Sequence, residues 1–508
     1  MTELSTSPAS PGNTASPDAV GTGSTNGLAS RTPAGDKLVI SLLLVSAFVV
    51  ILNETIMGVA IPHLVTDLRI TEGAAQWLTT AFMLTMAVVI PVTGFLLQNF
   101  NTRPIFLAAM SLFSLGTLVS ALAPGFEVLL VGRVIQASGT AIMMPLLMTT
   151  VLTLVPPATR GRTMGNISIV ISVAPAIGPA ISGLILSVLE WRWMFGIVFP
   201  IAVAALILGA LKVKNVTEPR PAPLDVFSVI LSAFGFAGLV YSLSSMGSGV
   251  TPLGMTALIV GVLALAGFIL RQVALQRTER ALLDLRTFKT PTFTFSIITM
   301  AISMMAMFGS FIVLPFYLQK VLGLDVLGTG LLLLPGGLIM GLLAPIVGRL
   351  YDRFGPTVLL VPGTVIVSGV FWALTFIGES TPVGLILVAH IALSIGLALL
   401  FTPLFTAGLG SLRPKFYSHG SAVLGTVQQV AGAAGTALFV TVMAATSASL
   451  MATGATEAAG IAGGVRTAFL YGAVISLFAI VTAFFVRKPD DAKIASHEEH
   501  DSVMPVGH

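Results

Sequence analysis

Fourteen apolar stretches, each long enough to cross a bilayer as a helix, run through this sequence with short polar loops between them. A hydrocarbon core takes about 20 apolar residues per helix. On that measure the spans are 38–62, 74–97, 104–123, 126–150, 165–189 and 193–211, then 226–246 and 252–270, then 293–318, 327–348, 357–377, 383–409, 421–445 and 468–486. The expected fold class is an all-α polytopic membrane protein. Of 508 residues 55% are hydrophobic and 9% charged, and mean hydropathy is +0.98, which no soluble domain approaches.

An even number of spans puts both termini on one side, and the positive-inside rule says which side that is. Under this layout twenty Lys and Arg fall on the terminal side, and four, Arg69, Arg192, Lys320 and Arg466, on the other. Both termini are therefore expected in the cytoplasm of a cell-membrane protein. Residues 1–37, rich in Ser, Thr, Pro, Gly and Ala, read as a disordered tail, and the first apolar run is too long for a cleaved signal peptide. Residues 271–292 mix leucines with charges and read as an amphipathic cytoplasmic linker. A polar tail, 487–508, closes the chain, and its His497-Glu498-Glu499-His500 lacks the i,i+4 histidine spacing of a zinc helix. The pI of about 9.5 comes from basic residues scattered over loops, so no nucleic-acid partner is expected. The absence of cysteine excludes disulfides and thiolate metal sites.

Against this apolar background, ionisable residues inside spans carry the functional signal, because a charge at bilayer depth costs at least a few kcal/mol. Glu54 is the one acid well inside a span, and Arg133 the one base. Two readings of Glu54 stand, a titrating proton carrier or a hydrogen-bonded structural acid. Arg133 is either its counter-charge or a permanent clamp on backbone carbonyls, and Glu54 is the carboxylate expected nearest to it. Internal repetition adds a second signal: Gly94 to Arg103 after span two corresponds to Gly348 to Gly355 after span ten. The simplest account is an N-terminal six-helix bundle (38–211), a two-helix insert (226–270) and a C-terminal six-helix bundle (293–486).

Several motifs in order carry a resemblance. Span one reads Leu52-Asn53-Glu54-Thr55-Ile56, span four Arg133-Val134-Ile135-Gln136, and span five Gly178-Pro179-Ala180-Ile181-Ser182-Gly183. In these the chain resembles the major facilitator superfamily, specifically its fourteen-span drug:proton antiporter family and within it the lincomycin-efflux branch, over roughly residues 38–486. The resemblance implies the major facilitator fold, two six-helix bundles plus two inserted helices, and a proton-coupled multidrug exporter working by alternating access. The family's span-one aspartate is here Asn53, which moves the titratable role to Glu54. Gly178, Pro179 and Gly183 correspond to the antiporter signature. Gly94 and Arg103, and more fully Gly348, Asp352 and Arg353, correspond to its gating loop.

Proton coupling is thus expected of Glu54, Arg133 and His390, although a lone histidine with a backbone partner is the commoner case. Substrate contact is expected of Asn53, Gln136, Phe316, Gln428 and Gln429. No cofactor beyond a proton gradient is implied, no phosphate-binding loop exists because no lysine follows a glycine, and no catalytic residue is expected. Partners are amphipathic small molecules, protons and the bilayer, with a monomer as the working unit. An exporter of one endogenous metabolite, or a non-transporting sensor, are the alternatives.

Overall fold

A computed structural model describes residues 33–216, 219, 223–246 and 251–489. Among them lie fourteen α-helices: α1 Pro33–Leu68, α2 Glu72–Asn99, α3 Thr102–Ala121, α4 Phe126–Leu154, α5 Arg160–Val188, α6 Arg192–Lys212, α7 Val226–Met246, α8 Pro252–Leu275, α9 Pro291–Lys320, α10 Val326–Phe354, α11 Thr357–Leu374, α12 Val383–Gly410, α13 Tyr417–Ala452 and α14 Glu457–Ala483. Thirteen are long and apolar enough to cross a membrane. The fourteenth, α5, packs between α1 and α10 and carries the apolar stretch 165–189. Caps set several starts: Thr71 Oγ1 accepts from Ala74 N, and Asp325 Oδ1 from Gly328 N. Gly355 stops α10 with φ of 79°, a region glycine enters at little cost.

The helices overrun the expected spans because loop-side turns stay helical in water once capped or packed. Two expectations change. Residues 33–37, read as tail, already belong to α1, and residues 1–32 lie outside the described residues. The linker 271–292, expected to be amphipathic, turns apolar residues into the protein. Its first residues continue α8 to Leu275, two short 3-10 turns follow at Gln276–Thr278 and Leu285–Lys289, and Leu282 and Leu283 are buried to 2% and 3% exposure. The sequence pattern placed the apolar residues correctly but could not show that protein rather than lipid covers them. Of the C-terminal tail only 487–489 are described; His497 to His500 lie outside the described residues.

Helix pairing repeats with an offset of eight. In the N-terminal set α1 packs on α5 and α6, α2 on α4, and α3 on α4 and α6; in the C-terminal set α9 packs on α13 and α14, α10 on α12, and α11 on α12 and α14. Two cross-set contacts, α5 with α10 and α13 with α2, exchange under the same offset, as a two-fold axis between related halves requires. Glycines set the closeness within a half. A Cβ on Gly139 (α4) would stand 2.3 Å from the Ala109 carbonyl oxygen on α3, and one on Gly116 (α3) 2.4 Å from Gln136 N, so these backbones touch. In the C-terminal half, rings of Phe371, Phe439 and Phe469 meet edge to face across α11, α13 and α14.

The insert, α7 and α8, packs as a pair, and α7 leans on α2 and α13. At its terminal-face end Asp225 accepts from Arg271 Nε and Nη2 at 2.6 and 2.7 Å and from Ser228 Oγ. Arg271's bonds hold the Asp225 carboxyl down at about 2 against the opposing effect of burial. Because that value lies below the unfolded one, the pair stabilises the fold fully above the usual carboxylate range and loses this only as pH falls through about 2.

The glycine contacts separate packed from open positions. Gly139→Val should lower the melting temperature of the detergent-purified protein by the equivalent of roughly 1–3 kcal/mol or more. Gly183→Val and Gly369→Val, with nothing within 4 Å of a built Cβ, should leave it within error, as fluorescence-detected thermal unfolding can measure; equal losses at all three sites would contradict this packing.

Candidate functional site

The buried charge of span four fixes a polar cluster where α1, α2, α3 and α4 meet. Arg133 is 1% exposed, and a guanidinium with five donors and no acceptor must find oxygens or a π face. Its Nη1 donates to Gln136 Oε1 at 2.6 Å, one helical turn on, and to Asn53 Oδ1 at 3.4 Å on α1. Its Cζ lies 4.1 Å from the centre of the Phe82 ring on α2, within cation–π reach. Gln136 is oriented in turn, because its Nε2 donates to Thr117 Oγ1 on α3 at 2.7 Å, and Thr117 donates to the Phe113 carbonyl. Three helices, α1, α2 and α4, therefore contribute one contact each to the charge, and α3 orients one of them. Arg133 Nε and Asn53 Nδ2 remain without a hydrogen-bond partner among the described residues.

Two expectations change here. Arg133 does not form an ion pair with Glu54: its hydrogen-bonded partners are the amides of Asn53 and Gln136, and no Glu54 pair within 4 Å occurs among the described ion pairs. The reason is helical geometry, since adjacent side chains point about 100° apart. Asn53 occupies the Arg133-facing position and Glu54 the next, partly exposed one, although the two charges remain near enough to act on each other. Asn53 and Gln136, expected to touch substrate, are both 0% exposed and serve the guanidinium instead.

α5 fixes the register of α1 beside Glu54. A Cβ on Gly178 would stand 2.2 Å from Thr55 Oγ1, and Ser182 Oγ donates to the Ile56 carbonyl at 2.9 Å. Thus Gly178 is a helix-contact glycine, whereas Gly183 faces open space and contributes no close approach. The side chain of Pro179 lies outside the described residues.

The expected gating residues divide. Asp352 Oδ1 and Oδ2 accept from the backbone N–H of Gly161 and Arg162 at 2.8 and 2.9 Å, so a carboxylate on α10 caps the positive end of α5 in the other half. A Cβ on Gly348 would meet the Gly161 carbonyl oxygen at 2.2 Å. Gly94 meets Ala422 of α13 in the same way, at 3.3 Å from a built Cβ to Ala422 Cβ. Arg103, by contrast, stays within its own half, donating to the Ala210 carbonyl at the end of α6. Arg353 is exposed and lies over its neighbour Phe354; among the described residues it joins no cross-half contact, because the helix turns it away from Asp352.

His390 is buried on α12, its Nε2 3.1 Å from the Leu333 carbonyl oxygen of α10, in the C-terminal set of helices rather than among those that hold Arg133. Gln428 and Gln429 are partly buried on α13, with Gln429 Nε2 3.7 Å from Met86 Sδ on α2, which places Gln429 on the seam between halves. Phe316 is 38% exposed on α9, one turn on from the 42% exposed Ile312. Sequence reading missed Thr117 and Phe82 as Arg133 partners. No sequence signal marks them, since threonines and phenylalanines recur along many of the spans.

The contacts that join the halves run from the terminal face to mid-depth. Beyond Asp352 they include Thr149 with Ser421 at 3.2 Å, Thr402 with Ser168 at 2.7 Å, Arg160 with Tyr417 at 3.2 Å, and Gly341 against Val173. Towards the other face, Gly183 on α5 and Gly330 on α10 have nothing near them, and Leu184 and Leu327 are 70% and 68% exposed. The halves are closed at the face that carries both ends and parted at the other.

The chain's relatives agree with this architecture. A family model described as Major Facilitator Superfamily matches residues 43–436. The lincomycin resistance protein LmrB of Bacillus subtilis is 40% identical over 461 residues, covering 89% of this chain and 95% of that protein. The LmrB of Listeria monocytogenes is 39% identical over 457 residues, covering 89% and 96%. Among solved structures, the human organic anion transporter MFSD10 aligns with a TM-score of 0.61 at 15% identity, over 89% of this chain and all of that one. A proton:xylose symporter, XylE, aligns at 0.60 and 14% identity, over 91% and 99%. With its family model spanning most of the chain and a helix pairing that repeats between halves, this multi-pass membrane protein belongs to the major facilitator superfamily.

Proposed function

We propose that this protein exports amphipathic drugs in exchange for protons, with Glu54 as the titrating group and both termini in the cytoplasm. The observation that carries the reading is the pairing of a fixed buried cation with a partly exposed carboxylate one residue away from its neutral clamp. Arg133 keeps its charge in every state, so a deprotonated Glu54 gains from its field and a protonated one does not. The unpartnered Nε of Arg133 is a donor such a carboxylate can take when α1 shifts. The relatives named for lincomycin resistance, and a multidrug resistance protein B homolog of Mycobacterium tuberculosis at 29% identity over 76% of this chain, support efflux of drugs as the activity.

In this account the structure represents the outward-facing arrangement: parted on the exterior side, closed in the cytoplasm by Asp352 on α5, Gly348 against Gly161, and Gly94 against Ala422. A proton arriving from outside neutralises Glu54 and weakens its hold on a cationic or polar substrate, which leaves. Closing the exterior side and opening the cytoplasmic contacts returns the carboxylate to the cell interior, where it loses the proton and rebinds substrate. Gln428, Gln429, Phe316 and His390 line or flank the path between halves in this reading, and the energy driving each cycle is that of the proton gradient alone.

Two measurements test it. Glu54→Gln should reach the membrane in normal amounts yet return the host's drug susceptibility to that of an empty vector; efflux at the parent rate by this mutant would refute the assignment. Asp352→Asn removes the charge at the start of α5, a contact worth on the order of 0.3–2 kcal/mol. It should reduce transport several-fold while increasing the reactivity of thiols placed at the cytoplasmic seam, and unchanged reactivity would remove Asp352 from the gate.

A further inference from the structure

We infer that Gln272 is a positioning residue for the gate on the terminal face, holding the segment after α8 so that Leu282 and Leu283 wedge the α2–α13 seam shut. The inference rests on the alternating-access reading and gives the two inserted helices a role in it.

The geometry is a buried polar fastener with an apolar wedge attached. Gln272, near the end of α8, is 0% exposed. Its Oε1 accepts from both Leu282 N at 2.7 Å and Leu283 N at 3.2 Å, and its Nε2 donates to Ser228 Oγ on α7 at 2.7 Å. One side chain thus satisfies two backbone donors that would otherwise be buried unpaired. Ser228 is itself fastened, through Asp225, to Arg271, so the anchor belongs to a rigid corner of the insert.

What Gln272 holds sits at the junction of the halves. Around the point where a Cβ on Gly94 of α2 would be, Ala422 Cβ of α13 lies at 3.3 Å, Leu283 Cδ2 at 3.4 Å and the Leu282 carbonyl oxygen at 3.5 Å. The next residue continues the fastening on the other side: Asp284 N donates to His419 Nδ1 of α13 at 3.4 Å, and the Asp284 carboxylate takes Arg286 at 2.6 Å. The segment therefore bridges the insert and α13 across the end of α2. Any movement that separates Gly94 from Ala422 must expose both leucines to water or drag the segment with one half. By holding the backbone of both leucines, Gln272 opposes that movement, and its loss should favour the state open on the terminal face.

The chain's lack of cysteine makes a direct test possible. With Ala422→Cys as the sole thiol, labelling by a membrane-impermeant maleimide applied from the terminal face, on substrate-free protein, reads how often the seam opens. Gln272→Leu, which keeps volume but removes the three bonds, should speed labelling on the order of tenfold, the shift expected from losing one buried hydrogen-bonded anchor. Leu283→Ala, which leaves Gln272 intact and removes the wedge, should do the same, so the inference stays testable if the first variant folds poorly. Parent-rate labelling in either folded variant overturns it. A second arm separates this from the transport reading: Gly94→Cys with Ala422→Cys brings Cβ positions into disulfide range, and the oxidised pair should stop transport until reduced. Transport that continues under that cross-link defeats the rocking mechanism itself, whereas arrest by the cross-link with parent-rate labelling in both variants defeats only the role of Gln272.

Discussion

A guanidinium in a protein stays charged, so Arg133 carries a full positive charge wherever the fold places it, and the fold places it at 1% exposure among apolar helices. The arrangement of the first four helices follows from making that tolerable. The charge is met on three sides by groups from different helices: an amide of α1, an amide of α4 itself and a ring of α2, with α3 orienting the second amide through Thr117. Close contact of α3 with α4, made possible by Gly116 and Gly139, brings Thr117 within reach of Gln136. Loosening that crossing would remove the hydroxyl from the amide, and with it the geometry of the guanidinium. Packing within the half and the electrostatics of the site are in this sense one constraint.

The same economy joins the halves. Because α5 and α10 exchange with α13 and α2 under the repeat, the two seams are related, yet they are fastened differently. The α5–α10 seam closes with a carboxylate on a helix start, at Asp352. The α2–α13 seam has no such charge, since the residue at the corresponding place in the first copy of the loop motif is Gln98, and Arg103 serves α6 instead. Apolar side chains from the linker fill that seam. The inserted helices thus stand beside the seam that lacks its own electrostatic fastening.

How much of this was legible in the sequence follows from what kind of information each feature needs. Span number and the location of buried charges depend on hydropathy along one dimension, and both were readable because a bilayer penalises any polar interruption. The motif glycines were readable as motif members but not as contacts: Gly178 packs on Thr55 while Gly183 faces open space, and only the rotation of α5 decides between them. The linker shows the same limit. Leu282 and Leu283 could be seen to be apolar, but whether lipid or protein covers them depends on Gln272, a residue with no motif around it.

The exchange of acid and amide in α1 is where one dimension falls furthest short. Read as a string, Asn53-Glu54 moves a carboxylate by one position; on a helix it turns it by about 100°, out of contact with Arg133 and towards the partly exposed side. A carboxylate in direct contact with a guanidinium is strongly held in its charged form and is a poor proton carrier, because the pair's attraction must be broken for each protonation. Holding Arg133 with neutral amides leaves the cation in place as a fixed field and frees the neighbouring acid to take a proton or a substrate. Under the proposed exchange mechanism, the departure from the family pattern at Asn53 would separate two tasks, anchoring the cation and titrating, between two adjacent residues.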